Sequence, residues 1–211
     1  MKYNTGNYEK YMTKNPLKRH MVENLNASIV KSIGMYGMEM NTEQIHILDA
    51  GYGRGIIDRL LAEHLPKARI TGLEYTPEAI QIARDMNPGV AYIQGDIKEM
   101  PFENNSFDIV MCTEVLEHID NPGKALAELI RVSKRFLYIT VPHEPWFCMG
   151  NLLVLKNITR FGNPEDHIHH WTKKSFLRFL QKEGMRGWKI SGSFPWIIGE
   201  AELGPEKRSI Q

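Results

Sequence analysis

Short, nearly unbroken apolar runs alternate along the chain with stretches whose apolar residues recur every three or four positions. The runs fall at 45–48, 69–73, 90–94, 107–112 and 136–141. Their length and continuity suit strands buried on both faces. Between them, Ile56, Ile57, Leu60 and Leu61 recur at helical spacing, and Pro66 stops that helix. Thr76 and Pro77 open a second helix over 77–86, as a cap and a first-turn proline. Asn87-Pro88-Gly89 reads as a turn. Asn121-Pro122 opens a third helix, with Ala125, Leu126, Leu129 and Ile130 facing inward. Strands alternating with helices predict a doubly wound α/β domain whose mostly parallel sheet is covered on both faces.

The two ends add to this core. After Pro16, the residues Met21, Val22, Leu25, Ile29 and Ile33 form a helical face, which Gly34 and Gly37 are expected to end. Residues 1–40 are read as an N-terminal helical extension, with a polar start carrying Tyr3, Tyr8 and Tyr11. Residues 143–171 break the alternation. They hold His143, Trp146, Phe147, an apolar run at 152–155 and the stretch NPEDHIHHW, and are read as an inserted lid with Gly150 and Gly162 as hinges. Thr172 caps a last helix, with Phe176, Leu177 and Leu180 inward and Gly184 at its end. Segments 187–191 and 194–200 are expected to pair as an antiparallel hairpin, completing seven strands, with a frayed tail over 204–211.

Composition changes this picture little. A length of 211 residues suits one domain, 1–211, with a full core. The net charge of +1 makes no global case for nucleic acid. Residues 131–189 hold 11 Lys/Arg against 4 Asp/Glu, which keeps an acidic partner in view, although solvated surface lysines explain it more simply. Cys112 and Cys148 show neither metal spacing nor a disulfide framework, so a cytoplasmic protein is expected. The polar N-terminus lacks a signal-peptide core, and no apolar run is long enough to span a bilayer.

The richest stretch is IHILDAGYGRG, residues 45–55. A strand ends at Asp49, Gly51, Gly53 and Gly55 form a turn, and a helix follows. Such a turn lets a ligand approach the backbone, and the helix start favours an anionic group. The dinucleotide fingerprint needs a small residue at its sixth position, where this chain has Ile56. The spacing instead resembles the first motif of the class I S-adenosylmethionine-dependent methyltransferases, (V/I)LD-x-G-x-G-x-G, with Tyr52 and Arg54 at variable positions. The resemblance spans residues 43–200 and is specific over 45–141.

Asp49, Glu74, Asp96 and Thr113-Glu114 all fall at predicted strand ends, where ligands bind in such folds. The resemblance implies S-adenosyl-L-methionine as cofactor, held by Asp49, Gly51, Gly53, Gly55, Glu74, Tyr75, Asp96, Ile97 and Thr113. Glu74, expected to face an open cleft, would accept both ribose hydroxyls. Asp96 would accept from the adenine amino group, and the Ile97 N–H would reach a ring nitrogen. The stretch TEVLEH, residues 113–118, would line the methionine half and the acceptor mouth. His118, His143 and His170 are the candidate catalytic residues, with His118 as a general base. Trp146, Phe147 and Trp171 would wall the acceptor pocket. His167, His169 and His170 beside Asp166 form a conceivable metal cluster, but no fourth ligand is evident and no metal is expected. Asp108, His20, His46 and His64 are left out of the site. The implied function is in-line methyl transfer to an oxygen, nitrogen or carbon of a small molecule. A tRNA or protein acceptor and a non-catalytic cofactor-binding role are the alternatives, and oligomeric state stays open.

Overall fold

A computed structural model describes residues 13–40, 42–153, 157–183 and 185–204. The expectations for residues 1–12, Val154, Leu155, Gly184 and 205–211 lie outside the described residues. In chain order the elements are α1 (Pro16–Met40), β1 (Ile45–Ala50), α2 (Ile56–His64), β2 (Ala68–Glu74), α3 (Pro77–Met86), β3 (Ala91–Gln94), β4 (Phe107–Thr113), α4 (Pro122–Val132), β5 (Ser133–Pro142), α5 (Trp146–Leu153), α6 (Lys173–Glu183), β6 (Lys189–Ser193) and β7 (Trp196–Glu202). Short 3₁₀ turns lie at Leu116–His118 and Ile158–Arg160.

The seven strands form one sheet in the order β3-β2-β1-β4-β5-β7-β6. The pairs from β3 to β5 are parallel, while β7 is antiparallel to both β5 and β6. Alternate residues of each strand feed opposite faces. Leu48, Val110, Cys112, Leu137 and Ile139 pack with Leu126 and Leu129 of α4 and with Phe176 and Leu180 of α6. Ile47, Ile109, Met111, Phe136 and Tyr138 pack with Leu25, Ile29 and Ile33 of α1 and with Leu61 of α2. Burial on both faces is why these strands read as continuous apolar runs.

One boundary differs in kind. Gly34 and Gly37 do not end the first helix, because α1 continues through both to Met40. An interior glycine costs about 1 kcal/mol against alanine. Here the helix is held by tertiary burial of Val22, Leu25, Ile29 and Ile33. Gly37 is itself buried at that contact, where a Cβ would press on the Ile45 side chain.

Candidate active site

Parallel order reverses between β1 and β4, so their carboxyl ends splay apart into the crevice where α/β folds bind ligands. The glycine turn leaves β1 at this point. Gly51, Gly53 and Gly55 all have positive φ, at 85°, 58° and 73°, a region that costs other residues strain. Their surroundings differ. A Cβ at Gly51 would press on Val115, and one at Gly55 would meet Asn87, Tyr92 and Ala83. A Cβ at Gly53 would meet nothing within 4 Å. Gly51 and Gly55 therefore close the turn against its own protein, and Gly53 presents bare main chain to the crevice.

Glu74 lies at the end of β2, but its carboxylate does not simply face an open cleft. Oε2 accepts the Gly53 N–H at 3.1 Å, and Oε1 accepts the N–H groups of Tyr75 at 2.9 Å and Thr76 at 3.0 Å. The side chain ties the glycine turn to β2 and takes over the cap expected of Thr76, whose own side chain makes no capping bond. Gly51 N–H donates to the Leu73 carbonyl at 2.7 Å, and Gly95 N–H to the Glu74 carbonyl at 3.0 Å. The ends of β1, β2 and β3 are thus laced together.

Asp49 is buried at the base of the turn, and among the described residues no N–H donor reaches either of its oxygens. Asp58, in the first turn of α2, is equally buried. Burial, then the charge of Asp58, raises Asp49 well above the usual carboxylate range, and burial raises Asp58 to about 7. Two buried carboxyls this close retain a proton between them near neutral pH. At the end of β3, Asp96 Oδ1 accepts the Lys98 N–H at 2.8 Å, Lys98 Nζ stands 3.9 Å from Oδ2, and Ile97 is buried. Tyr75 is half exposed on the turn after β2. Thr113 pairs with Thr140 at the end of β4.

Residues 48–136 match the family model described as a methyltransferase domain. The ubiquinone biosynthesis O-methyltransferase of Coxiella burnetii (strain Dugway 5J108-111) is 29% identical over 170 residues, covering 71% of this chain and 70% of the relative. The chain carries a methyltransferase domain over residues 48–136. A demethylmenaquinone methyltransferase of Chlorobaculum tepidum is 31% identical over 88 residues, 42% of this chain and 36% of that protein. The magnesium protoporphyrin IX methyltransferase of Synechocystis PCC 6803, solved with S-adenosylhomocysteine bound, shares the fold at a TM-score of 0.68. That likeness has 16% identity over 95% of this chain and 96% of the other. The open backbone at Gly53 beside the Glu74 and Asp96 carboxylates fits S-adenosylmethionine as cofactor.

The 3₁₀ turn after β4 meets residues 163–171. Ile168 and His169 both donate their N–H groups to the Glu117 carbonyl, at 2.9 and 3.1 Å. His169 also contacts the Ile119 carbonyl through Nε2 at 2.9 Å, and Glu144 N–H donates to the Trp171 carbonyl at 2.8 Å. This half of the inserted segment is pinned to the sheet end. Sequence spacing suggested no such anchoring, because the contacts run through main-chain groups.

The histidines separate. His118 Nδ1 contacts the Asp166 carbonyl at 2.9 Å and its carboxylate at 3.1 Å. Burial alone would lower His118, but the Asp166 hydrogen bond and the Glu117 charge outweigh it and raise the imidazole to about 9. With Nδ1 turned to Asp166, Nε2, 3.9 Å from Glu117 Oε1, is the ring nitrogen left for another partner. His143, at the end of β5, is lowered by burial and by Lys173 and stays neutral. His170 lies 3.8 Å from Glu144 and 3.2 Å from the Asn163 amide. His169 stacks on Trp171, while His167 turns instead to Phe147 and His118. The expected cluster of three neighbouring histidines therefore does not converge. Trp171 is buried against Phe176 and Phe179 of α6, and Trp146 is half exposed.

Proposed function

We propose that this methyltransferase acts on a small molecule, moving the sulfonium methyl group to an oxygen, nitrogen or carbon nucleophile held between the turn after β4 and the 143–171 segment. The observation that carries this reading is the exposed backbone of Gly53 at the β1/β4 crevice, with Glu74 and Asp96 at the neighbouring strand ends. When bound, the cofactor supplies an electrophilic methyl carbon. The chain's own groups hold and align it, and alignment is the larger part of catalysis for a displacement of this kind.

In this reading Glu74 accepts from the ribose through the remaining capacity of Oε2, and Asp96 and the Ile97 N–H receive the adenine. Asp49 and Asp58, buried beneath the turn, form the polar floor on which the glycine turn rests. Thr113 and Tyr75 border the same cleft. His143 is the neutral imidazole available to take a proton from an acceptor that needs deprotonation. A small acceptor is favoured because the anchored 163–171 strip closes over the turn after β4. The names of the relatives, which refer to quinone pathways, agree with that class. Among the described residues no helix is long and apolar enough to cross a membrane. The free thiols Cys112 and Cys148 suit a reducing, cytoplasmic setting.

The test is incubation with methyl-labelled cofactor and, in parallel, a small-metabolite extract, total RNA and a protein extract. Label in a low-mass product supports the reading. Label confined to RNA or protein transfers it to a macromolecular acceptor.

A further inference from the structure

Glu117, His118 and His167 come from two stretches far apart in sequence, yet one ligand atom from each lies within 4.8 Å of the others. We propose that these three side chains form a divalent-cation site at the acceptor mouth, and that the ion binds a hydroxyl oxygen of the methyl acceptor. The inference rests on the methyltransferase reading above and names the acceptor chemistry of that same site.

Each donor is arranged as a ligand would be. His118 Nδ1 is engaged by the carbonyl and carboxylate of Asp166, which leaves Nε2 directed at Glu117, 3.9 Å from Oε1, where the cation would take the place of the second ring proton. An imidazole held through its far nitrogen by a carboxylate is the usual support for a metal-bound histidine. His167 is buried between a stacked Phe147 ring, 5.4 Å between centroids, and the edge of His118 at 4.9 Å. Its Nδ1 is buried and has no hydrogen-bond partner among the described residues, a state that buried polar atoms rarely keep. The Glu117 carboxylate is 1% exposed, and its backbone carbonyl fixes Ile168 and His169 beside it. Glu114, with a left-handed φ of 56° at the end of β4, acts electrostatically on His167 from the same cleft.

Two ligands bound at about 2.1 Å stand at most about 4.2 Å apart. The Glu117–His118 separation of 3.9 Å already meets this, and the 4.8 Å limit for the set exceeds it by only about 0.6 Å. Two imidazoles and one carboxylate suit Zn²⁺, Fe²⁺, Co²⁺ or Mn²⁺ rather than Ca²⁺ or Mg²⁺. Three protein donors leave coordination positions open for substrate. A hydroxyl bound there acidifies and loses its proton to solvent. The resulting oxygen then forms the O–CH₃ bond as the S–CH₃ bond breaks and the thioether leaves with the sulfonium electron pair.

The experiment uses the full chain, free of any affinity tag and stripped with a chelator. It is titrated with Co²⁺ by visible absorption and with Zn²⁺ by calorimetry, and S-adenosylhomocysteine binding is measured on the same samples. One equivalent of cation and a Co²⁺ d–d band are expected. His167→Ala and the near-isosteric Glu117→Gln should each weaken the cation by about 100-fold or more, with S-adenosylhomocysteine affinity within about threefold of wild type. Intact S-adenosylhomocysteine binding with no cation bound at millimolar concentration overturns the metal site alone. So does a cation affinity that both variants leave within about threefold of wild type. Failure of S-adenosylhomocysteine to bind wild type overturns the underlying function instead.

Discussion

Removing the Glu74 carboxylate should cost both cofactor affinity and stability, and the hydrogen bonds set the size of each loss. A carboxylate offers about four acceptor sites. Gly53, Tyr75 and Thr76 occupy three of them, so one strong bond to the ribose fits without displacing the turn. A hydrogen bond to a charged group is worth roughly 1.5–3 kcal/mol. Glu74→Ala should therefore weaken S-adenosylhomocysteine by at least about 10- to 150-fold, with any loosening of the Gly53 turn adding to that. Water can reach the N–H groups of Tyr75 and Thr76, so the tie to Gly53 carries most of the stability loss. At about 2 kcal/mol this corresponds to a fall in Tm of about 4–8 °C for a chain of this size. Glu74→Gln can keep Tyr75 and Thr76 on its amide oxygen, but its NH₂ then faces the Gly53 N–H, donor to donor. It should retain much of the stability and lose most of the affinity. The assay is calorimetry with S-adenosylhomocysteine and its dideoxyribose analogue on wild type and both variants, alongside thermal melts. Wild type should discriminate against the analogue by at least about tenfold, and Glu74→Ala should not. Equal discrimination by the two proteins would remove Glu74 from the ribose, and an unchanged melt would refute its hold on the turn.

The remaining predictions follow from the same cleft. Gly53→Ala should abolish most cofactor binding while lowering stability by only the roughly 1–2 kcal/mol of left-handed strain, whereas Gly55→Ala, pressed on Asn87 and Tyr92, should lower Tm distinctly more. Paired melts with and without S-adenosylhomocysteine compare them. Asp49 and Asp58 are both raised above their ordinary value of 3.8, so the folded chain holds protons that the unfolded chain releases. The Asp58 contribution to stability is complete below about pH 4 and is lost as pH rises through about 7, and that of Asp49 is lost as pH rises through its own raised value. The ligand-free Tm should therefore respond less to pH between about 4 and 7 in Asp58→Asn than in wild type; parallel slopes would contradict the shared proton. Hydrogen exchange should find Ile168 and His169 protected even without ligand, because both bond the Glu117 carbonyl, with ligand-dependent protection concentrated in 144–153. Fast exchange at Ile168 and His169 would show that the strip is free to open as a whole.

Some features of this protein follow from sequence alone because their physics is local. A strand buried on both faces must be apolar along its whole length, so β1, β2, β4 and β5 announced themselves, and their alternation with helical spacing implied a parallel, doubly wound sheet. Gly51, Gly53 and Gly55 announced a turn because positive φ is a property of the residue itself. Other features are set by which groups meet, and these only the tertiary structure decided. Gly34 and Gly37 read as breakers until the packing of α1 on the sheet outweighed their propensity. The three turn glycines look equivalent in sequence, yet neighbours supplied by Val115, Asn87 and Tyr92 leave only Gly53 facing the crevice. Glu74 reads as a ligand group, whereas its bond to Gly53 also makes it part of the scaffold. The run His167, His169 and His170 suggested a cluster of neighbours, but main-chain bonds to Glu117 turn these rings in different directions. His167 finds its partners in Glu117 and His118, which lie at the end of a different strand. Convergence of that kind depends on long-range topology, which local spacing does not encode.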